Sequence, residues 1–319
     1  MTTQPPPSRS ATHNVAWALA VGNVVLALAL TVLLVKWRGE SREVEQLRAR
    51  EAVTSVARAL AQGVSGDMER VDGVLRSAVA AFERAPERGL REGSPLAVEL
   101  ANLRAGLSDA DVLLVCDADG NVRLGLPKGA PPANLADRDF FIAARTSDPS
   151  ALPVVSKPWV GRVSGKWGVS IARPLRTPDG KFAGTVHASL GSEYLARRLA
   201  SVPLGQDGVV VLRTADMSLI ARFTTEGLSN EGLGSTNISA ALKAALAAQP
   251  MGGDLVSRSP RDGVERAVAY QRVAGFPLYV IVGQGTGDFI ADAAAVPGHR
   301  EARTAARPWL AAVGSPGQP

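Results

Sequence analysis

A strand–turn–strand pattern that occurs twice, 97 residues apart, most constrains the fold of this 319-residue chain. The first copy is the apolar run 112–115, the turn 117–120 and the returning run 121–124. The second copy begins with the apolar run 209–212 and returns at 218–220. Short apolar runs on either side of turn residues are typical of antiparallel hairpins. The repeat therefore predicts two similar sheet modules in series.

A second pair of strand-like runs follows each of these hairpins. The pairs are 169–175 with 184–190, and 267–273 with 278–283, and the two halves match in pattern more than in residue identity. Three short helical stretches accompany the strands: 96–107, 192–200 and 237–248. Local helices combined with antiparallel sheets indicate an α+β fold.

The amino-terminal region contains an apolar segment, 15–35, that carries no charged residue. About 20 apolar residues are needed to cross the hydrocarbon core of a bilayer as a helix, so we expect a transmembrane anchor behind a disordered cytoplasmic tail, 1–14. A cleaved signal peptide is the competing interpretation, although the run is long for one. Basic residues are more numerous after the segment than before it, which alone would place the following domain in the cytoplasm. Large domains are translocated despite such charges, so charge leaves the orientation open.

A long helix is predicted directly after the anchor, over 36–84. Apolar residues recur between Val53 and Phe82 at steps of three or four, with charged residues on the opposite face. This apolar stripe has two possible partners, a helix of another chain or the domain that follows it. Pro86 and the segment 89–95 end the helix.

Composition argues against several functional classes. The net charge of +5 is spread along the chain and not gathered in basic runs, so we expect no binding to nucleic acid. A single cysteine, Cys116, excludes an intrachain disulfide and any site with several cysteines. No metal-ligand spacing, nucleophile elbow or phosphate-binding glycine loop was found in the sequence, so we predict no metal, no cofactor and no catalysis.

The stretch 137–190 holds the best candidates for contact with a ligand. It begins with the acidic, basic and aromatic cluster 137–141 and continues through a loop with Arg162, Lys166 and Trp167. A guanidinium binds a carboxylate through two parallel hydrogen bonds, and an aromatic ring shields a cation or stacks on a ligand. The predicted ligand-binding residues are Arg138, Asp139, Phe140, Arg162, Trp167, Ser170 and Arg173.

Each of these candidates has a structural alternative. Arg138 is equally placed to form an ion pair with Asp137 or Asp139, and Trp167 suits a core position. Ser170 and Arg173 alternate along the next strand, so one face of that strand is expected to reach the pocket, and Arg173 equally suits a solvated position. His187 lies between apolar strand residues, and we interpret it as structural.

The cluster 137–141, the run Arg162-Val163-Ser164-Gly165-Lys166-Trp167, the strand 172–175 and the turn 179–184 together resemble a double Cache sensor domain. Such domains are the extracytoplasmic ligand-sensing parts of bacterial histidine kinases, diguanylate cyclases and chemoreceptors. The resemblance covers roughly 36–288. It implies a long helix followed by two PAS-like antiparallel-sheet modules in tandem, a membrane-distal one at 85–200 and a membrane-proximal one at 201–288.

The resemblance also implies a function. We expect a single-pass protein of the inner (cytoplasmic) membrane whose sensor faces the periplasm, binds a small organic acid or amino acid, and forms a homodimer for signal transduction. A second span and an output domain usually follow in such proteins. They do not follow here, and the tail 289–319 fits a disordered or aberrant end, so we expect either a truncated or frameshifted relative or a free-standing sensor. The alternative function is a scaffold or dimerisation protein that senses nothing.

Overall fold

The computed structural model describes residues 9–86, 89–107, 110, 112–202, 205 and 207–285. The chain divides into two compact units, Met1–Ala49 and Arg50–Pro319, and both sheets lie in the second unit. The predicted tail 289–319 and most side chains of the predicted span 15–35 lie outside the described residues. A search of what is described found no helix long and apolar enough to span a bilayer.

Helix α1 covers Arg9–Glu83 and therefore begins inside the predicted tail 1–14. In the second unit its buried residues follow helical spacing, as in Val64, Met68, Val71 and Leu75. These side chains belong to one core cluster with residues of both sheets. The apolar stripe thus packs on the domain that it precedes, which is one of the two alternatives that the sequence left open.

The first sheet has the strand order β2-β1-β6-β5-β3, with β4 also paired to β5, and all its pairs are antiparallel. Helix α2 (Pro95–Gly106) precedes it, and Ser94 caps that helix by accepting a hydrogen bond from the amide of Ala97. The remaining elements are β1 (Val112–Asp117), β2 (Val122–Leu124), α3 (Asp139–Thr146), β3 (Val154–Val155), β4 (Trp159–Val160), β5 (Trp167–Arg176), β6 (Phe182–Gly191) and α4 (Ser192–Leu199).

The second sheet has the order β10-β11-β12-β7-β8-β9 and is also antiparallel throughout. Its elements are β7 (Val209–Thr214), β8 (Leu219–Thr224), β9 (Gly227–Leu228), α5 (Ala240–Ala248), β10 (Gly252–Arg258), β11 (Glu265–Arg272) and β12 (Leu278–Gly285). The predicted α+β fold is confirmed. Helix α5 begins later than the predicted 237, because Ser239 adopts extended backbone and caps the helix by accepting from the amide of Leu242.

Each sheet has an inner and an outer face. The inner faces share the core cluster that contains α1. The outer face of the first sheet packs with α3 in a cluster that includes Phe140 and Phe141. The outer face of the second sheet packs with α5 in a cluster that includes Leu242 and Ile281. Side chains alternate between faces along a strand, so sequence parity decides which of these environments each strand residue reaches.

Candidate functional site

Arg138 lies at the start of α3, on the outer face of the first sheet. Its guanidinium carbon stacks 4.1 Å from the centroid of the Trp159 ring. Its Nε is buried and has no hydrogen-bond partner among the described residues. Burial and the neighbouring charge of Arg162 lower the pKa of Arg138. The alternative of an ion pair with Asp137 or Asp139 is therefore not what the structure shows.

Aromatic rings occupy the space beneath Arg138. Phe140 is fully buried, with its centroid 4.7 Å from the ring of His187 and 6.0 Å from that of Trp159. His187 is completely buried, and neither of its ring nitrogens has a hydrogen-bond partner within the described structure. Burial lowers the pKa of His187 to about 3, so the imidazole is neutral.

Ser170 lies on the same face and is bonded within the protein. Its Oγ is 2.9 Å from Ser189 Oγ and accepts a hydrogen bond from Trp159 Nε1 at 3.3 Å. Asp139 is similarly occupied, because one oxygen accepts from the amide of Phe140 and the other from that of Lys157. Ser170 and Asp139 thus hold neighbouring elements together.

Arg162 and Trp167 make their main contacts with other groups than Arg138 and Trp159. Arg162 forms two hydrogen bonds of 2.7 Å with the carboxylate of Asp137. This contact lowers the pKa of Asp137 and raises that of Arg162. Trp167 packs towards the second half of the protein, where a methyl group added to Gly234 would lie 3.5 Å from Trp167 Cη2.

Arg173 differs from the other predicted residues because it points to the inner face. Arg173 is three positions from Ser170, and strand alternation places residues at an odd spacing on opposite sides of a sheet. Its guanidinium forms an ion pair with Asp72 of α1, with a Nη2–Oδ2 distance of 3.0 Å. Both side chains are nearly buried, at 6% and 5% exposure. Arg173 is therefore not the solvated residue that the sequence allowed, and it links the sheet to α1.

A cavity of about 180 Å³ lies on the outer face of the second sheet. Its floor is the sheet, and its walls are the start of α5, the loop 229–239 and the turn 259–264 between β10 and β11. Aliphatic side chains and four arginines make up most of the lining: Val209, Val211, Leu219, Ile238, Leu242, Val268 and Ile281, with Arg213, Arg222, Arg261 and Arg266. We call this space the second-sheet cavity.

Strand register brings the arginines to this cavity. Arg222 of β8 is opposite Val211 of β7, and Val211 is in turn opposite Ile281 of β12, so all three share one face. Arg266 reaches the cavity across β12 at Gly283, where a Cβ would lie 2.9 Å from Arg266 Cδ. Glycine is therefore needed at 283 for the arginine stem to pass.

Two of the four arginines, Arg213 and Arg266, each form several hydrogen bonds with other groups of the protein. Arg213 donates to the backbone carbonyls of Met217, Ser235 and Asn237, and so holds the loop 229–239 over the cavity. Arg266 donates to Asp207 O at 2.6 Å and to both oxygens of Asp262 at 2.9 and 3.0 Å.

The other two arginines, Arg261 and Arg222, form fewer contacts within the described structure. Arg261 pairs at 2.7 Å with Glu231, whose side chain is 81% exposed. Arg222 has a single contact of this kind within the described structure, an ion pair of 3.7 Å with Asp262, although its side chain is only 14% exposed. That distance is too long for a hydrogen bond. Arg222 therefore presents a largely desolvated guanidinium with unused donors.

The pKa values reflect this excess of positive charge. Burial, followed by repulsion from Arg222 and Arg261, lowers the pKa of Arg213 to about 10. Burial and the charge of Arg261 also lower the pKa of Arg222. Burial opposes ionisation of Asp262, but the hydrogen bonds from Arg266 and neighbouring groups outweigh it and lower its pKa. An anion in the cavity would relieve this repulsion.

The sequence reasoning missed these residues, although it placed strands at 209–212 and 218–220. The available signal was an arginine within or next to each apolar strand run, Arg213 and Arg222. Charged residues in such positions are rarely buried without a partner. Arg261 and Arg266 follow a turn and give no comparable signal.

Comparison with known proteins agrees with the fold. Residues 192–283, which include the second-sheet cavity, match the dCache_1-like family described as a histidine kinase sensor domain. The extracellular domain assigned to the histidine kinase rpHK1S-Z16 is 26% identical, with a TM-score of 0.66 over 75% of this chain and 95% of that one. The expected similarity to double Cache sensor domains is confirmed.

Two ligand-binding domains with bound amino acids have a similar fold. The ligand-binding domain of Campylobacter jejuni Tlp3 in complex with 4-methylisoleucine is 16% identical, with a TM-score of 0.56 over 77% of this chain and 94% of that one. The ligand-binding domain of Mlp24 with asparagine is 17% identical, with a TM-score of 0.57 over 78% and 97%. No curated protein matches the chain in sequence. Across the described residues, no group of three or more His, Cys, Asp or Glu side chains is arranged to hold a metal ion.

Proposed function

We propose that this protein is an extracytoplasmic sensor and that its small polar ligand binds in the second-sheet cavity. The observation that carries the proposal is Arg222, whose guanidinium borders an open, largely aliphatic space and whose one ionic contact among the described residues is 3.7 Å long. Ligand sites of this kind are mostly apolar, with a few polar groups that orient the ligand. We propose no catalytic role.

The relatives support a sensing role over the alternative of a scaffold. They are a histidine kinase extracellular domain, the ligand-binding domain of the chemoreceptor Tlp3 and that of Mlp24, and the last two hold an amino acid. Arg138, which the sequence predicted, stays the alternative ligand contact, and Trp159 stacks on it. Rings that are already buried fill much of the space beside it, which favours the second sheet.

We further propose that the segment 15–35 anchors the protein in the inner membrane, with the domain on the periplasmic side. The absence of charge in this segment supports the anchor, and the extracellular origin of the rpHK1S-Z16 domain supports the orientation. The two modules, 85–200 and 201–288, would act within a homodimer. Contacts between the halves provide a route for a signal: Lys157 pairs with Asp216 at 2.8 Å, and Trp167 packs near Gly234.

A ligand screen on matched variants tests the proposal. The full-length protein, in detergent, is screened by thermal shift against organic acids and amino acids, beside Arg222→Met and Arg138→Met. We expect at least one compound to raise the Tm of the wild type and of Arg138→Met but not of Arg222→Met. The opposite dependence would move the site to the first sheet. If no compound stabilises any of the three proteins, the scaffold function replaces the sensor.

A further inference from the structure

We infer that the second-sheet cavity selects a small carboxylate that lacks an ammonium group, in other words a short-chain organic acid and not an amino acid. This inference rests on the proposed function and narrows the class of ligand. The inference depends on the hydrogen-bonding groups around the cavity, where donors for an anion outnumber acceptors for an ammonium group.

The cavity has hydrogen-bond donors to spare for an anion. Guanidinium groups carry five N–H donors in a planar fork that fits a carboxylate. Arg222 uses none of them in a hydrogen bond within the described structure, since its contact with Asp262 is 3.7 Å long. Arg261 lies near enough for its charge to lower the pKa of Arg222. A carboxylate bound to Arg222 would therefore also be attracted by Arg261.

The same cavity offers an ammonium group little to bind. Asp262 is the one carboxylate among its described lining residues, and both oxygens accept from Arg266 while one also accepts from the amide of Val264. Ser239 and Ser257 bond each other at 2.7 Å. An α-ammonium would thus lose its hydration and lie among like charges.

Backbone carbonyls of the loop 229–239 are already in use. Those of Ser235 and Asn237 accept from Arg213. The exposed carboxylate of Glu231 is not among the lining residues and pairs with Arg261. The side-chain amide of Asn237 also lines the cavity, but it is uncharged and does not balance the charge of an ammonium group.

The remaining surface defines the rest of the ligand. The aliphatic side chains of Val211, Leu242 and Ile281 line the cavity beside the arginines. The volume is about 180 Å³, and an apolar protein cavity of about 150 Å³ accommodates benzene. A ligand of roughly six to eight non-hydrogen atoms, with one charged end and an aliphatic body, therefore fits.

Matched pairs of compounds test the ligand class. Isothermal titration calorimetry on the full-length protein compares 3-methylbutanoate with valine and butanoate with 2-aminobutanoate, within a series from propanoate to octanoate. These pairs differ only in the ammonium group. We expect the best acid to bind at least about tenfold more tightly than its amino acid partner, which corresponds to about 1.4 kcal/mol.

Three variants locate the binding site, and a check of their folding accompanies them. Arg222→Met should weaken the best acid by at least about tenfold, whereas Arg222→Lys, which keeps the charge but loses the planar fork, should weaken it less. Arg138→Met should leave its affinity unchanged. Circular dichroism of each variant verifies the fold.

The outcomes separate the two proposals. If an amino acid binds as tightly as its acid partner and depends on Arg222, the ligand class is wrong while the proposed site stands. Acid binding that depends on Arg138 and not on Arg222 overturns the site. If neither class binds, both proposals fail.

Discussion

The outer faces of the two sheets differ in what fills them, although both sheets are antiparallel and each is covered by a short helix. Between α3 and the first sheet lie the rings of Phe140 and Phe141 of the helix and of His187 of β6, all completely buried. Between α5 and the second sheet, Val211, Ile281 and four arginines surround an open volume. Rings that pack on one another leave little room for a ligand, whereas short aliphatic side chains beside long arginines do.

The arginines of the two halves differ in the same way, since one is paired and the other has unused donors. Arg173 of the first sheet meets a buried carboxylate and serves stability. Arg222 of the second sheet meets no carboxylate at hydrogen-bond distance in the described part of the chain and is held close to other cations. An unfavourable arrangement that the fold maintains is typical of a functional site.

The largest effect is expected from Asp72→Ala. This change leaves the guanidinium of Arg173 buried without its counter-charge, which typically costs about 3–5 kcal/mol. Denaturation by urea, followed by circular dichroism, measures the change in the free energy of unfolding. Asp67→Ala is the matched control, since Asp67 is equally buried on α1 but its partner Arg198 is half exposed and can be rehydrated. Equal losses in the two variants would contradict the assigned role of Arg173.

Acid should destabilise the first half through His187. Its folded pKa of about 3 lies below the unfolded value of about 6.5. Between these values the unfolded state binds a proton that the folded state does not, so stability is present above about pH 6.5 and falls as the pH drops. The loss attributable to this group is up to about 1.4 kcal/mol per pH unit.

A pH series of urea denaturation measures this loss. In His187→Leu the free energy of unfolding should fall less steeply between about pH 6 and 4, and the difference in slope should correspond to about one proton. The acidic groups of both proteins titrate alike and cancel in the comparison. An unchanged slope would mean that His187 is not buried as described.

Gly283→Ala should lower the free energy of unfolding by a smaller amount than Asp72→Ala. The added methyl group meets the stem of Arg266 and the side chain of Val209, at 2.9 and 3.1 Å. Overpacking of this kind costs about 1–3 kcal/mol. It should also weaken ligand binding, because Arg266 neutralises Asp262. A variant as stable as the wild type would show that the arginine does not cross β12 at this point.

The smallest effect on stability is expected from Arg222→Met. Removing one of several neighbouring cations relieves repulsion and keeps an apolar stem of similar length, so the free energy of unfolding should stay equal or rise by up to about 1 kcal/mol. Thermal and urea denaturation measure it. A marked loss of stability would mean that Arg222 has a structural role and would weaken its assignment as a ligand contact.

The sequence predicted local structure well because the signals were local. The hairpins around 117–120 and 178–180 were evident from apolar runs on either side of turn residues. Strand β10 (Gly252–Arg258) was missed, since it begins with two glycines and has no continuous apolar run. The same holds for the two-residue strands, which depend on pairing partners distant in sequence.

The candidate site was harder to predict because it depends on contacts between distant residues. The pairing of Arg162 with Asp137 spans 25 residues, and that of Arg173 with Asp72 spans 101. Arg222 and Arg261 meet through a loop and a turn whose path the sequence does not specify. Residue types alone therefore drew attention to the arginines of the first half, several of which turned out to be paired.

The most direct test of the account is a crystal structure of residues 50–285 with the best-binding acid. It requires that this fragment, which lies within one compact unit, is first shown to fold by circular dichroism. The account predicts density for a carboxylate against Arg222, with its aliphatic body against Leu242 and Ile281. Density against Arg138 and Trp159, with the second-sheet cavity empty, would contradict it.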